Sequence, residues 1–300
     1  MKKWSGVAAV VAAGLLWGTV GYFRRMLDTF GFSAMQIVAV RTLTAFCVLA
    51  LYALIRNRKA FRIRIKDAWL FFGTGIVSVL LFNWCYFTCM SYASLPVAAV
   101  LMYTSPVFAA LLSALLFRES ITALKVVAMC IAVGGSVLAT GVWESGAAIT
   151  PAVLALGLSS GLLYALYSVF SHIAIKRYGY GALTINLYTF LFAAVGAWLL
   201  ADPVHLAGKL FNLSTLPYVL GVGVLTAALP YLLFTYGLTQ MEVGRANILV
   251  MVELCSVTLV SRFLFHEQLR WYSYVGILLV LAAIAVLSLP RKEHSHAKAT

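Results

Sequence analysis

Ten runs of about twenty apolar residues, broken only by short polar connections, decide what this chain can fold into. They cover 5–23, 33–55, 67–89, 95–117, 123–142, 150–172, 181–201, 214–237, 243–264 and 271–289. A helix that crosses a bilayer takes about 20 apolar residues, and lipid supplies no water to satisfy open backbone. No polar stretch between the runs is long enough to fold alone. Of the 300 residues, 63% are hydrophobic and 10% charged, against about 45–50% and about 25% in soluble domains. Pro96, Pro151, Pro203 and Pro217 fall at or near run ends, where a missing N–H costs least. The chain reads as an all-α membrane protein with ten transmembrane helices.

The net charge of +13 raises the question of nucleic acid, but the basic residues lie between the apolar runs and read as topology signals. With the N-terminus inside, 16 of the 22 Lys and Arg face the cytoplasm, 5 face outward, and Arg41 lies within a span. Both termini are therefore expected in the cytoplasm, with 291–300 as a basic tail and no nucleic-acid partner. The five cysteines all lie in apolar runs, unclustered and odd in number, so each reads as a small buried apolar residue.

The chain also repeats itself. Gly14-Leu15-Leu16-Trp17 lies over Gly161-Leu162-Leu163-Tyr164 and Phe23 over Phe170 at an offset of 147, while Ala98 lies over Ala246 and Phe117 over Phe265 at 148. The copies divide the chain into 1–144 and 145–290. Five spans is an odd number, so the second copy must insert upside down. The expected architecture is two inverted five-helix repeats, N-in and C-in, the plan of alternating-access transporters with a site at the repeat interface. The internal copy of the first span argues against its being a cleaved leader.

Leu16-Trp17-Gly18, then Arg24-Arg25, then Arg41 in the second span resemble the start of an EamA-type repeat. Ser105-Pro106-Val107, thirteen residues before Glu119, resembles that family's Pro-Val…Glu block, and Glu253…Glu267 its second copy. The resemblance spans residues 5–289. It implies a member of the drug/metabolite transporter superfamily, moving amino acids or similar small metabolites outward across the cytoplasmic membrane. The chain departs from the family pattern at Leu254, where proline usually follows the Glu, and at Phe32-Ser33-Ala34, which lacks the proline that opens the second span.

Glu253 is the most informative residue. An ionised side chain at mid-span costs roughly 2.5–3.5 kcal/mol even on lenient insertion scales, and such residues are functional by default. It reads as a proton carrier or an anchor for a substrate amine; the plainer reading is a structural ion pair with Arg41. Their depths are compatible, about 16 Å and about 12 Å from the outer ends of their helices. On the helices that line the central cavity in the family, Trp17, Asn83, Tyr86, Tyr103, Tyr164, Tyr167, Tyr231 and Asn247 recur at mid-depth. A flat apolar face with one hydrogen-bonding tip suits a small amphiphilic ligand, though it also suits helix packing. Pro106 and Pro230 lie inside spans and free the carbonyls of Met102 and Thr226, so they read as hinges or as simple kinks. Gly14/Gly18 and Gly157/Gly161 permit close helix contact. Glu119 and Glu267 each precede a span and read as caps of its N-terminus.

Enzymatic readings find little to stand on. Gly157-Leu158-Ser159-Ser160-Gly161 matches G-x-S-x-G but lies inside an apolar run, where a strand–turn–helix elbow cannot form. His266-Glu267 lacks a second histidine, and no phosphate-binding loop is present. His172, near the inner end of the sixth span, reads as an interfacial or packing residue. No metal or cofactor is expected. The expected protein is a secondary transporter of a small molecule, monomer or homodimer, with protons as the candidate coupling ion. Two alternatives stay open: a facilitator or uptake permease for a drug, sugar or nucleotide derivative, and a non-transporting membrane scaffold.

Overall fold

The computed structural model describes residues 2–145, 149–210, 213–266 and 268–288; Glu267 and the 291–300 tail lie outside them. Among the described residues the chain is helical throughout, without strands. Nine helices are long and apolar enough to cross a membrane: α1 (Ser5–Thr29), α2 (Ala34–Arg56), α3 (Ile65–Tyr92), α4 (Leu95–Phe117), α5 (Ala123–Glu144), α6 (Pro151–Lys176), α7 (Ala182–Leu200), α8 (Leu216–Leu238) and α9 (Val243–Leu264). The last apolar run forms a shorter helix, α10 (Trp271–Leu287), at the edge of the described chain. Helices α1, α3 and α6 run past their expected ends, to Thr29, Tyr92 and Lys176.

Local chemistry explains the starts. Where the proline before α2 is missing, Ser33 forms a capping box instead: its Oγ accepts from Gln36 N at 3.3 Å, and its own N donates to Gln36 Oε1 at 3.1 Å. Thr122 and Thr150 cap α5 and α6, the latter followed by Pro151 in the first turn. Glu119 corrects the expectation made for it. It is a cap, but of α9 rather than α5: Oε1 accepts from Val243 N at 3.1 Å and Oε2 from Gly244 N at 3.5 Å.

Five of the helices are interrupted. In α4 the break falls at Tyr103–Thr104, just before Pro106, and in α9 at Val250–Met251, where no proline stands. Both tighten to i→i+3 bonds, Thr104 N to Leu101 O and Met251 N to Ile248 O, each at 3.2 Å. In α1 the break at Gly18–Thr19 is held from outside the helix: Ser256 of α9 donates to Leu15 O at 2.7 Å. Widened π turns occupy Gly73–Leu81 in α3 and Val224–Ala228 in α8, the second just ahead of Pro230.

Packing pairs the helices in matched sets. Helix α1 lies on α8 and α9 as α6 lies on α3 and α4; α2 packs on α7, α5 on α10, and α4 on α9. Both glycine pairs sit against a break. A Cβ on Gly14 would meet Val250 O at 2.7 Å, and one on Gly161 would meet Leu101 O at 3.1 Å, so each pair lets one helix approach the open backbone of another. Three cysteines are buried as expected, but Cys47 and Cys130 are exposed on the outer faces of α2 and α5, where apolar side chains face lipid; all five thiols are free.

Candidate functional site

Helices α1, α3, α6, α7 and α8 bring an aromatic cluster together inside the bundle. Trp17, the last residue before the break in α1, lies 5.0 Å from the ring of Tyr231, 5.5 Å from Phe234 and 6.2 Å from Tyr164. Tyr164 meets Phe82 edge-on at 5.4 Å, and Phe82 stacks on Tyr86 at 5.8 Å. On the other side Tyr231 meets Tyr167 at 4.8 Å and Phe190 at 5.1 Å. Beneath Trp17, between Ser78, Tyr167, Ser168 and Phe234, the remaining space is about 10 Å³, room for a single water.

Glu253 stands directly after the break in α9. The break makes it a first-turn residue of the segment Val252–Leu264, where the helix dipole favours a negative charge. Tyr164 donates its hydroxyl to Oε2 at 3.4 Å, and Tyr86, Tyr103 and Tyr231 lie within electrostatic range. Arg41 is also within range of Glu253 and Tyr231, yet it forms no ion pair with the carboxylate. Its Nη2 donates instead to Thr226 O at 2.5 Å, the carbonyl that Pro230 leaves without its helical donor. Glu253, Arg41, Tyr86 and Tyr164 are each only half-buried.

Known proteins place this architecture. The EamA-like transporter family description fits residues 4–141 and, a second time, residues 151–289. The chain belongs to the EamA-like transporter family. Two relatives from Archaeoglobus fulgidus, both called uncharacterized transporters, are similar over nearly their whole length. One is 26% identical over 295 residues, covering 94% of this chain and 95% of the relative. The other is 27% identical over 296 residues, covering 96% and 99%. A solved crystal structure superposes with a TM-score of 0.77 at 17% identity, covering 94% of this chain and 96% of its own; this likeness concerns the fold. The protein is a multi-pass transporter of the cell membrane.

Within this EamA-like bundle the sequence-based candidates separate by what their polar atoms do. Tyr86, Tyr103, Tyr164, Tyr231 and Arg41 come together around Glu253, with Trp17 against Tyr164 and Tyr231. Tyr167 lines the small space beneath Trp17, but its hydroxyl is engaged by Asn186 Oδ1 at 2.9 Å and Thr235 Oγ1 at 2.7 Å. Asn83 turns back on its own helix, donating to Val79 O at 2.6 Å beside the widened turn. Asn247 donates to Ser168 Oγ and Val243 O, both at 2.9 Å, and its buried Oδ1 has no partner. Asn186, Thr235 and Ser168 were not anticipated. Asn186 sits in the first turns of α7, outside the helices expected to line the cavity, though a buried amide within an apolar run is itself a signal.

The two ends of the bundle differ. At the end that carries Glu119, the second segment of α4 packs against the first segment of α9, and Lys125 pairs with Glu242 at 2.5 Å. His172 is buried there with its ring 4.5 Å from Phe117, a packing role as expected. At the opposite end the first segment of α4 and the second segment of α9 make no comparable contact among the described residues.

Proposed function

We propose that this protein is a secondary transporter of ten spans, built from inverted repeats 1–144 and 145–290, that exports amino acids or similar small metabolites by alternating access. The matched breaks in α4 and α9, the matched glycine pairs and the twofold fit of the family description support the repeat. The charge bias of sixteen to five supports both termini inside. On that orientation the Glu119 end, where α4 and α9 pack together, is cytoplasmic. Rocking of α1, α3, α4, α6, α8 and α9 about the interruptions, with Pro106 and Pro230 as hinges, carries the cycle.

The observation that carries this reading is Glu253: a half-buried carboxyl at the break of α9, bonded by Tyr164 and within electrostatic range of tyrosines from three further helices. A group so placed can hold a proton or a substrate amine in turn, linking charge to the cycle. The test is efflux from liposomes loaded with a labelled amino-acid mixture, with and without an imposed pH gradient, for wild type and Glu253→Gln. Gradient-dependent efflux lost in the variant is the expected result. Efflux indifferent to both gradient and substitution reduces the protein to a facilitator; no flux from folded protein rejects amino acids as cargo.

A further inference from the structure

Tyr164, Ser168, His172 and Lys176 follow one another at four-residue steps along α6, so they share one face of it. The face begins at Glu253, which accepts from the Tyr164 hydroxyl, and runs toward the Glu119 end. At the offset of 147 the first repeat places Trp17, Gly21 and Arg25 instead. A stripe that the fold itself required would appear in both copies. Along this face hydrogen-bonding groups are left open. Tyr164, Ser168 and Ser78 are among the residues around the space of about 10 Å³ beneath Trp17, so a single water there has hydroxyl-bearing neighbours. Ser168 Oγ accepts from Asn247 Nδ2 at 2.9 Å, which leaves its own hydrogen to donate. One turn further, His172 keeps Nδ1 buried without a partner, and Asn247 does the same with Oδ1. Such acceptors are costly inside a bilayer unless water or a proton uses them. Side chains four apart on a helix stand about 5–6 Å from each other at Cβ, a gap that one water spans. Beyond the ring of His172, Glu119 and Lys176 lie within electrostatic range.

We propose that this face of α6 is a proton path between Glu253 and the cytoplasmic side, with His172 as its inner relay. The inference rests on the transport reading above and names the route of its coupling ion. A proton on Glu253 passes to the Tyr164 oxygen while the Tyr164 hydrogen moves to the water beneath Trp17. That water hands one hydrogen to Ser168 Oγ, and the Ser168 hydrogen moves through a second water to His172 Nδ1. The imidazole then releases the hydrogen on its other nitrogen toward Glu119 and the cytoplasm. Each group gains one proton and loses one, so the net transfer is a single proton from Glu253 inward; the reverse order loads the carboxyl. Arg41 of α2 and Tyr86, Tyr103 and Tyr231 of α3, α4 and α8 form the electrostatic surroundings of that carboxyl. The proton thus bypasses the α4–α9 seam, which can stay packed while Glu253 exchanges with the cytoplasm.

Titration of Glu253 reads the path without any substrate. Purified full-length protein is given a pH jump, and the carboxyl band that Glu253→Gln removes is followed by time-resolved infrared spectroscopy. His172→Phe keeps an aromatic ring against Phe117 and removes the relay; His172→Gln repeats the test with a polar side chain that does not titrate. Ser168→Ala removes the hydroxyl in the middle of the path, and Ser168→Thr returns one. The expected result is carboxyl titration slowed by about tenfold or more in both His172 variants and in Ser168→Ala, near the wild-type rate in Ser168→Thr, with the same end-point spectrum throughout. A merely structural role would lower the melting temperature and leave the rate alone. Wild-type rates in the folded variants overturn the proposal, as does slowing at only one of the two positions. In liposomes the slowed variants should also lose pH-gradient-driven efflux of the labelled amino-acid mixture. Slowed titration in the variants, with wild-type protein that moves no amino acid, would leave the path standing and sink the transport reading instead.

Discussion

Two tyrosines one helical turn apart on α6 look alike in the sequence and differ in what they do. The Tyr164 hydroxyl reaches Glu253, while that of Tyr167 joins Asn186 and Thr235 in a closed network. Removing the first takes a donor from the carboxylate that the proposed cycle uses; removing the second leaves the buried Asn186 oxygen without a partner. Tyr167→Phe is expected to lower stability by about 1–2 kcal/mol, read as a lower melting temperature in detergent, with the substrate KM little changed. Tyr164→Phe is expected to leave melting nearly unchanged and to shift the pH dependence of transport. The opposite pattern would place the working hydroxyl on Tyr167. Sequence reading found both residues because a phenol at mid-depth in an apolar run is visible by itself, but which hydroxyl is occupied depends on partners 68 and 89 residues away.

The spans were legible because apolar length is a property of a single segment. The interruptions were legible only where proline marks them, at Pro106 and Pro230. Those in α1 and α9 have no such marker: Ser256 satisfies the open carbonyl of α1 from the neighbouring helix, and Gly14 and Gly18 bring the two backbones close enough for it to do so. Gly18 and Gly21 therefore separate the explanations. A Cβ on Gly18 would run into Ser256 and lie 2.8 Å from Val257 N, whereas one on Gly21 meets nothing within 4 Å. Gly18→Ala is expected to cost about 1–3 kcal/mol through overpacking, and Gly21→Ala to be neutral or stabilising by up to about 1 kcal/mol. Thermal unfolding of the two variants checks this directly. Capping was misassigned for a similar reason, since a cap argued from sequence looks only to the adjacent helix. Glu119 reaches α9 across the bundle, so Glu119→Ala is expected to cost about 1–2 kcal/mol. Its effect should show as faster labelling of a cysteine placed at the α9 start, at Val243, while the α5 start at Ala123 is unaffected.

At the scale of the molecule, the difference in α4–α9 packing between the two ends makes a claim about motion. If alternating access runs through the α4–α9 seam, the contact between the second segment of α4 and the first of α9 must separate in every cycle. The seam offers a site to prevent this. A Cβ placed on Gly244 would lie 3.8 Å from the Ala110 Cβ, within the range that a disulfide spans without strain. The double variant Ala110→Cys/Gly244→Cys, in a background with Cys47, Cys85, Cys89, Cys130 and Cys255 replaced, is expected to crosslink on mild oxidation. Flux should then fall at least tenfold and return with reductant. A fully oxidised protein that still transports would mean that this seam stays shut throughout the cycle. The substrate would then have to leave by another route, and the difference between the two ends would be a fixed feature of the fold.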